Sequence, residues 1–206
     1  MTARVYGGMD AAGRTAERRA KLCAAGLELL GTDGLQATTV RKVCERSGVA
    51  ARYFYESFAD LDAFILVVFD EIIAELIESG IQALEMAPKD MRAQLRAALG
   101  CAIGIVADDP RKGHVVLTVA MGSPVLARRR LETSELIAKL VAEQVRAHTG
   151  AAPGERQLTL VARFLVGGFA EALTAWLRDP AQSARDQLLD DCTELFLATT
   201  SALGKL

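Results

Sequence analysis

Apolar residues return along this chain at helical intervals almost from end to end. Leu22, Gly26, Leu29 and Leu30 share one face and predict a helix from about Arg14 to Leu30, followed by a link carrying Gly31 and Gly34. Val40, Val43 and Cys44 fall on one face before Gly48, and Val49, Phe54 and Phe58 on one face after it. That spacing reads as two short helices at a tight angle, with Gly48 where the turn needs a positive φ. A long helix follows from Asp60 to about Met86. Its apolar positions, from Leu61 and Phe64 to Leu76 and Ile77, wrap more than one face, as in a helix buried on two sides. Ala87-Pro88-Lys89-Asp90 breaks it, and Met91, Leu95, Leu99, Ile103 and Val106 mark the next. Asp109-Pro110 stops that one and starts a short apolar helix ending near Gly122. Ser123 then Pro124 reads as N-cap and first position of another, ending by Gly150. Two last helices run from Glu155 to about Arg178 and, past Asp179-Pro180, through Leu188, Leu195 and Leu203. The expectation is an all-α chain of about nine helices. Residues 1–13 read as a disordered arm, 14–58 as a three-helix head, and 59–206 as a helical body.

The tight pair of helices has an outer face with chemistry. Arg41, Lys42, Arg46, Arg52, Tyr53 and Tyr55 are left pointing outward once the apolar positions turn in. A basic and phenolic helix-turn-helix of this size is suited to laying its second helix in a DNA major groove. Ala50 and Ala51 are small enough to let that helix approach base edges. Arg52 has the fork geometry for a bidentate pair with guanine, and Tyr53 the reach for a base or a phosphate. Thr39 is placed to cap the preceding helix, and Asp60 to cap the long one. Phe54 and Phe58 continue the apolar face and belong to the core.

The run GVAARYFYESFADLDAF resembles the end of the DNA-binding domain in the TetR family of transcriptional regulators. There a Gly-Val turn precedes a short recognition helix ending in an aromatic residue, Tyr, two variable positions and Phe, here Phe54, Tyr55, Glu56, Ser57 and Phe58. The upstream helix, the Gly31/Gly34 link and Thr38-Thr39-Val40 fit the same pattern, so the likeness covers the first third of the chain. It implies a homodimeric repressor, released from a palindromic double-stranded DNA operator by a small apolar or amphipathic effector. The two recognition helices would lie about 34–36 Å apart. It also implies that the helix end capped by Thr39 approaches a phosphate, and that Tyr55 hydrogen-bonds one. One departure stands out: where the family often carries Lys, this chain has Leu61.

Charge divides along the same boundary. Residues 1–57 hold nine Lys/Arg against six Asp/Glu, a balance of +3, while the remainder carries −5. The four cysteines, Cys23, Cys44, Cys101 and Cys192, are far apart and read as reduced core thiols in a cytoplasmic protein. No apolar run approaches the ~20 residues of a bilayer span, so no membrane role is expected. With two isolated histidines and no phosphate-binding loop or nucleophile motif, neither catalysis nor a metal or other cofactor is expected.

In the body, the last two helices form an antiparallel pair, and Gly167-Gly168 at mid-helix suits a close helix crossing. Pairing with a symmetry mate, as in the resembled family, would place Val161, Leu165, Gly168, Leu188, Cys192, Leu195 and Phe196 in a four-helix interface. A purely intramolecular hairpin is the alternative. The resemblance also implies an effector pocket, for which Phe64, Val68, Met121, Phe164, Phe169 and Trp176 are the apolar candidates and His114 and Thr118 the polar anchors. A reading from another class is an all-helical small-molecule carrier or interaction protein without DNA binding. Leu61 favours it; Arg52, Tyr53 and Tyr55 oppose it.

Overall fold

The computed structural model describes residues 11–148, 154–181 and 183–203. Among these there are nine α-helices and no strand. They are α1 (Ala11–Thr32), α2 (Val40–Ser47), α3 (Ala51–Ser57), α4 (Leu61–Met86), α5 (Met91–Asp108), α6 (Pro110–Gly113), α7 (Pro124–His148), α8 (Glu155–Arg178) and α9 (Arg185–Ser201). The expected arm, residues 1–13, lies mostly outside the described residues; its last three belong to the first turn of α1. The predicted end of α7 at Gly150 also lies outside them.

The caps fall where side-chain chemistry demands. Thr39 Oγ1 accepts from the Lys42 amide, and the Asp60 and Asp90 carboxylates accept from Ala63 and Ala93 at 2.8 and 2.9 Å. Asp109 caps α6, with Pro110 as its first residue. After α6 the helix widens into a π turn over His114–Thr118 and tightens into a 3-10 turn over Val119–Met121. The sequence predicts one uniform short helix here. Hydrophobic spacing cannot separate a five-residue turn from a four-residue one when Val115, Val116, Leu117, Val119 and Ala120 are all buried.

Helices α1–α3 form the head, and the N-terminal half of α4 is built into it. Phe64 of α4 is fully buried, 5.2 Å from Phe54 and 4.9 Å from Phe58 between ring centroids. Gly26 makes the α1–α4 crossing possible, since a Cβ there would sit 2.4 Å from the Phe64 ring. One apolar core therefore runs from Leu22 through Phe64 and Ile103 to Val115 and Leu173. In the body α4 packs on α5 and α7, α7 on α8, and α5 on α9. A smaller core of Leu99, Val161, Leu165, Cys192 and Phe196 joins α5, α8 and α9. Ion pairs Arg92–Glu194 and Arg96–Asp190 tie α9 antiparallel along α5. By length and hydropathy α8 alone among the described helices passes for a bilayer span. The separate apolar runs of the sequence merge into its 24 residues, with Leu158, Val161, Ala162, Leu165 and Leu173 buried against its neighbours.

Candidate nucleic-acid interface and apolar cavity

Gly48 ends α2 at φ 68°, in the left-handed region, and turns the chain into α3. Val49, Phe54 and Phe58 are buried beneath α3, leaving Ala50, Ala51, Arg52 and Tyr55 exposed on the outer side beside the exposed Thr39 and Arg41. Six of the seven residues expected to meet DNA thus share an accessible surface, and Tyr53 is half-buried at its edge. The cations are not equally free. Arg41 pairs with Glu45 at 2.7 Å, and Arg46 with Glu28. Arg52 donates to the Tyr53 hydroxyl at 2.6 Å and lies 4.5 Å above its ring. That contact holds the guanidinium along α3 and keeps the phenol oxygen at its side.

The basic start of α1 has a structural use that its sequence conceals. Arg18 stacks on Tyr53 at 4.0 Å, while Arg19 donates to the Ser57 carbonyl at 3.3 Å and lies over Phe58. Both brace α3 from behind by cation–π contact. Lys21 is paired with Glu17. Leu61, at the position of the family lysine, is partly buried against the head's core, and Asp60 is occupied as a cap.

The expected effector residues do not converge. Phe64 and Val68 fill the core under the head, because α4 enters the head more deeply than its periodicity tells. Met121 and Phe164 are exposed, at 68% and 70%. Trp176 is half-buried, its indole N–H donating to the Ser183 carbonyl at 3.0 Å. His114 and Thr118 line a separate cleft against Gly31 and Thr32 of α1. Only Phe169 lines the apolar cavity of the body. That cavity, about 330 Å³, lies among α4, α5, α7 and α8 and is walled by Phe69, Ile73, Leu76, Leu95, Val116, Leu117, Ile137, Val141 and Leu173. Gln94, Thr133, Ser134 and Gln144 are among its few polar wall residues. The residues missed lie mostly on α5 and α7. Their periodicity marked them as inward-facing without saying which helix they would face.

Of the expected interface residues, Val161, Leu165, Cys192 and Phe196 are buried in the chain's own smaller core and Leu188 packs against it. The correction follows from α5, which covers the α8–α9 seam from inside. Gly168 and Leu195 are exposed, with Leu160 and Phe164 on the same outer side of α8, and nothing within the chain approaches the Cβ positions of Gly167 and Gly168. The four thiols are free, and burial pushes each above its ordinary range, Cys23 to about 12. No metal-binding group of three or more His, Cys, Asp or Glu occurs among the described residues.

Residues 22–67 match the family model for bacterial regulatory proteins of the tetR family. Over these residues the head resembles that of the tetR family. The match spans the second half of α1, α2, α3 and the start of α4, the segment that makes most of the head. Solved structures extend the fold likeness to the body. A candidate transcriptional regulator of Pseudomonas aeruginosa PAO1 is similar at TM-score 0.77 and 18% identity, over 92% of this chain and 94% of that one. The fatty acid degradation regulator FadR of Bacillus halodurans is similar at 0.77 and 17%, over 87% and 94%. FadR of Bacillus subtilis, solved in complex with stearoyl-CoA, is similar at 0.73 and 16%, over 87% and 98%. A search of curated protein sequences returns no match.

Proposed function

We propose that this chain is a TetR-family, sequence-specific DNA-binding repressor, acting in the cytoplasm as a homodimer and released from a palindromic operator by an apolar or amphipathic ligand. The observation that carries the reading is the α3 surface. Its two small residues, Arg52 and Tyr55 are exposed, with Tyr53 half-buried at their edge, on a helix braced by Arg18, Arg19 and Phe64. Arg52 reads a guanine in the major groove, Tyr53 and Tyr55 hold phosphates, and the Thr39-capped start of α2 meets another. The wall of exposed apolar residues Leu160 and Phe164, bare Gly168 and Leu195 pairs with its symmetry mate. No catalytic role is assigned.

The ligand occupies the body cavity, whose apolar walls suit a hydrocarbon or acyl chain, and FadR of Bacillus subtilis with its stearoyl-CoA is a precedent in this fold. Coupling runs through the π turn. Val116 and Leu117 face the cavity, while the same segment and α6 pack on α1, where Gly31 lies against Arg111. A ligand that shifts Val116 and Leu117 repositions α1 and with it the head, and the population shift equals its differential affinity for the two head spacings. The test is duplex titration of the dimer, by fluorescence anisotropy, with and without a long-chain acyl compound that binds. The account expects weakened operator binding when the cavity is filled. Unchanged affinity at saturation would remove the inducer role.

A further inference from the structure

A residue of the cavity wall, Gln94, carries a buried polar atom whose orientation the sequence fixes. Leu84 is in the last turn of α4, and its carbonyl would accept from the amide four residues on; that residue is Pro88, which has none. The side-chain amide of Gln94, from α5, fills the role and donates from Nε2 to Leu84 O at 3.2 Å. An amide committed through its nitrogen cannot also present nitrogen elsewhere in place of oxygen, so Oε1 is the end left over. Gln94 is 94% buried, being only 6% exposed, and it lines the apolar cavity. Its Oε1 accepts no hydrogen bond from any described protein group. Of the other polar side chains of the wall, Thr200 donates to the Phe196 and Leu197 carbonyls and His148 Nδ1 lies 2.9 Å from Gln144 O, while Arg130, Thr133, Ser134 and Gln144 also line it. A buried acceptor is costly to leave unmade.

We propose that the cavity selects an apolar molecule bearing a neutral hydrogen-bond donor, a hydroxyl or an amide N–H, placed against Gln94 Oε1. The proposal rests on the reading of this cavity as the effector site and adds what that reading leaves open, the polar chemistry of the ligand. Pure hydrocarbon leaves the acceptor unpaired, and an ether or ionised carboxylate sets oxygen against oxygen. Discrimination arises as it does wherever a site is built for a donor, through the cost of burying the acceptor without one.

Decanol and decyl methyl ether test it, the second retaining the oxygen and losing the donor. Both are titrated by displacement of an environment-sensitive dye from the full chain. The proposal expects decanol to bind at least about 10-fold more tightly than the ether. Gln94→Met should bring that ratio close to one while leaving the ether bound as well as before. The ratio on the unmodified chain stands as the test if Gln94→Met does not fold. Equal binding of the two on the unmodified chain overturns the donor requirement and leaves the cavity reading intact. A preference that survives Gln94→Met overturns the assignment to Gln94. If neither compound binds, the cavity is not a site for apolar ligands, and both readings fall.

Discussion

Gly26 and Phe64 offer the sharpest test of how the head is fastened. A Cβ added at Gly26 would lie 2.4 and 2.8 Å from Phe64 ring carbons and 2.9 Å from Val68 Cγ2. The ring has nowhere to go, being fully buried between Phe54 and Phe58. Gly26→Ala therefore sets overpacking of about 1–3 kcal/mol against a helix-propensity gain of about 1 kcal/mol, a net loss of about 0–2 kcal/mol. Phe64→Ala alone removes a fully buried aromatic and costs about 3–5 kcal/mol. With that ring gone, the space the alanine needs is open on the Phe64 side, so adding Gly26→Ala to Phe64→Ala should recover up to about 1 kcal/mol. The coupling between the two sites is then about 1–3 kcal/mol, favourable to the double variant. Urea unfolding of all four proteins at one fixed protein concentration measures it through the midpoints and slopes. Effects that add to within about 0.5 kcal/mol would refute the close approach of α1 and α4 at this point.

Arg52→Ala should cost about 1–3 kcal/mol of operator binding and flatten preference at one base per half-site, as read from the ranking of single-base operator variants; an unchanged ranking would exclude base reading by Arg52. Tyr55→Phe, in contrast, should weaken selected and scrambled duplexes equally. A Cβ at Gly168 meets no neighbour within the chain and Leu195 is exposed, so glutamate at either should fold and sediment as a monomer; a stable dimer would move the interface elsewhere. The hydrogen bonds from Arg111 hold the Asp109 carboxyl below its ordinary value of 3.8. The folded form therefore binds that proton less tightly than the unfolded one. The stability this supplies is present above pH 3.8 and lost as pH falls through the lower folded value, so the deficit of Asp109→Asn should shrink below pH 3.8 in acid-unfolding curves.

The helices were legible from periodicity, and several of their ends are marked a second time by a cap. Thr39, Asp60 and Gly48 all do what residue type and position require. The outward set on α3 was legible for the same reason, since a helix of seven residues with Phe54 inward leaves little choice about the rest. Residues such as Phe64 and Val161 were legible as inward and misassigned in partner. An apolar stripe names the face that is buried, and the pairing of α5 with α9 or of α4 with α7 depends on tertiary geometry that no stripe encodes. The stacking of Arg18 on Tyr53 and of Arg19 on Phe58 was not legible, because it needs the fold to bring residues 35 and 39 positions apart together. The π turn was invisible, as the uniformly apolar segment fits a turn of either size. Gln94 could have been flagged from the missing amide of Pro88, a signal that needs α4 and α5 to be antiparallel neighbours before it means anything.

Reading of a DNA sequence by α3 is the claim on which the rest depends, and selection from a random duplex pool tests it with no operator assumed. The dimer is equilibrated with the pool, bound duplexes are recovered over several rounds, and the affinity of the recovered sequence is compared with a scrambled one at two salt concentrations. The account predicts a palindromic sequence bound at least about 10³-fold more tightly than its scrambled counterpart, with both affinities falling as salt rises. Recovery of no common sequence, or equal affinity for selected and scrambled duplexes, would contradict it and leave an all-helical ligand-binding protein.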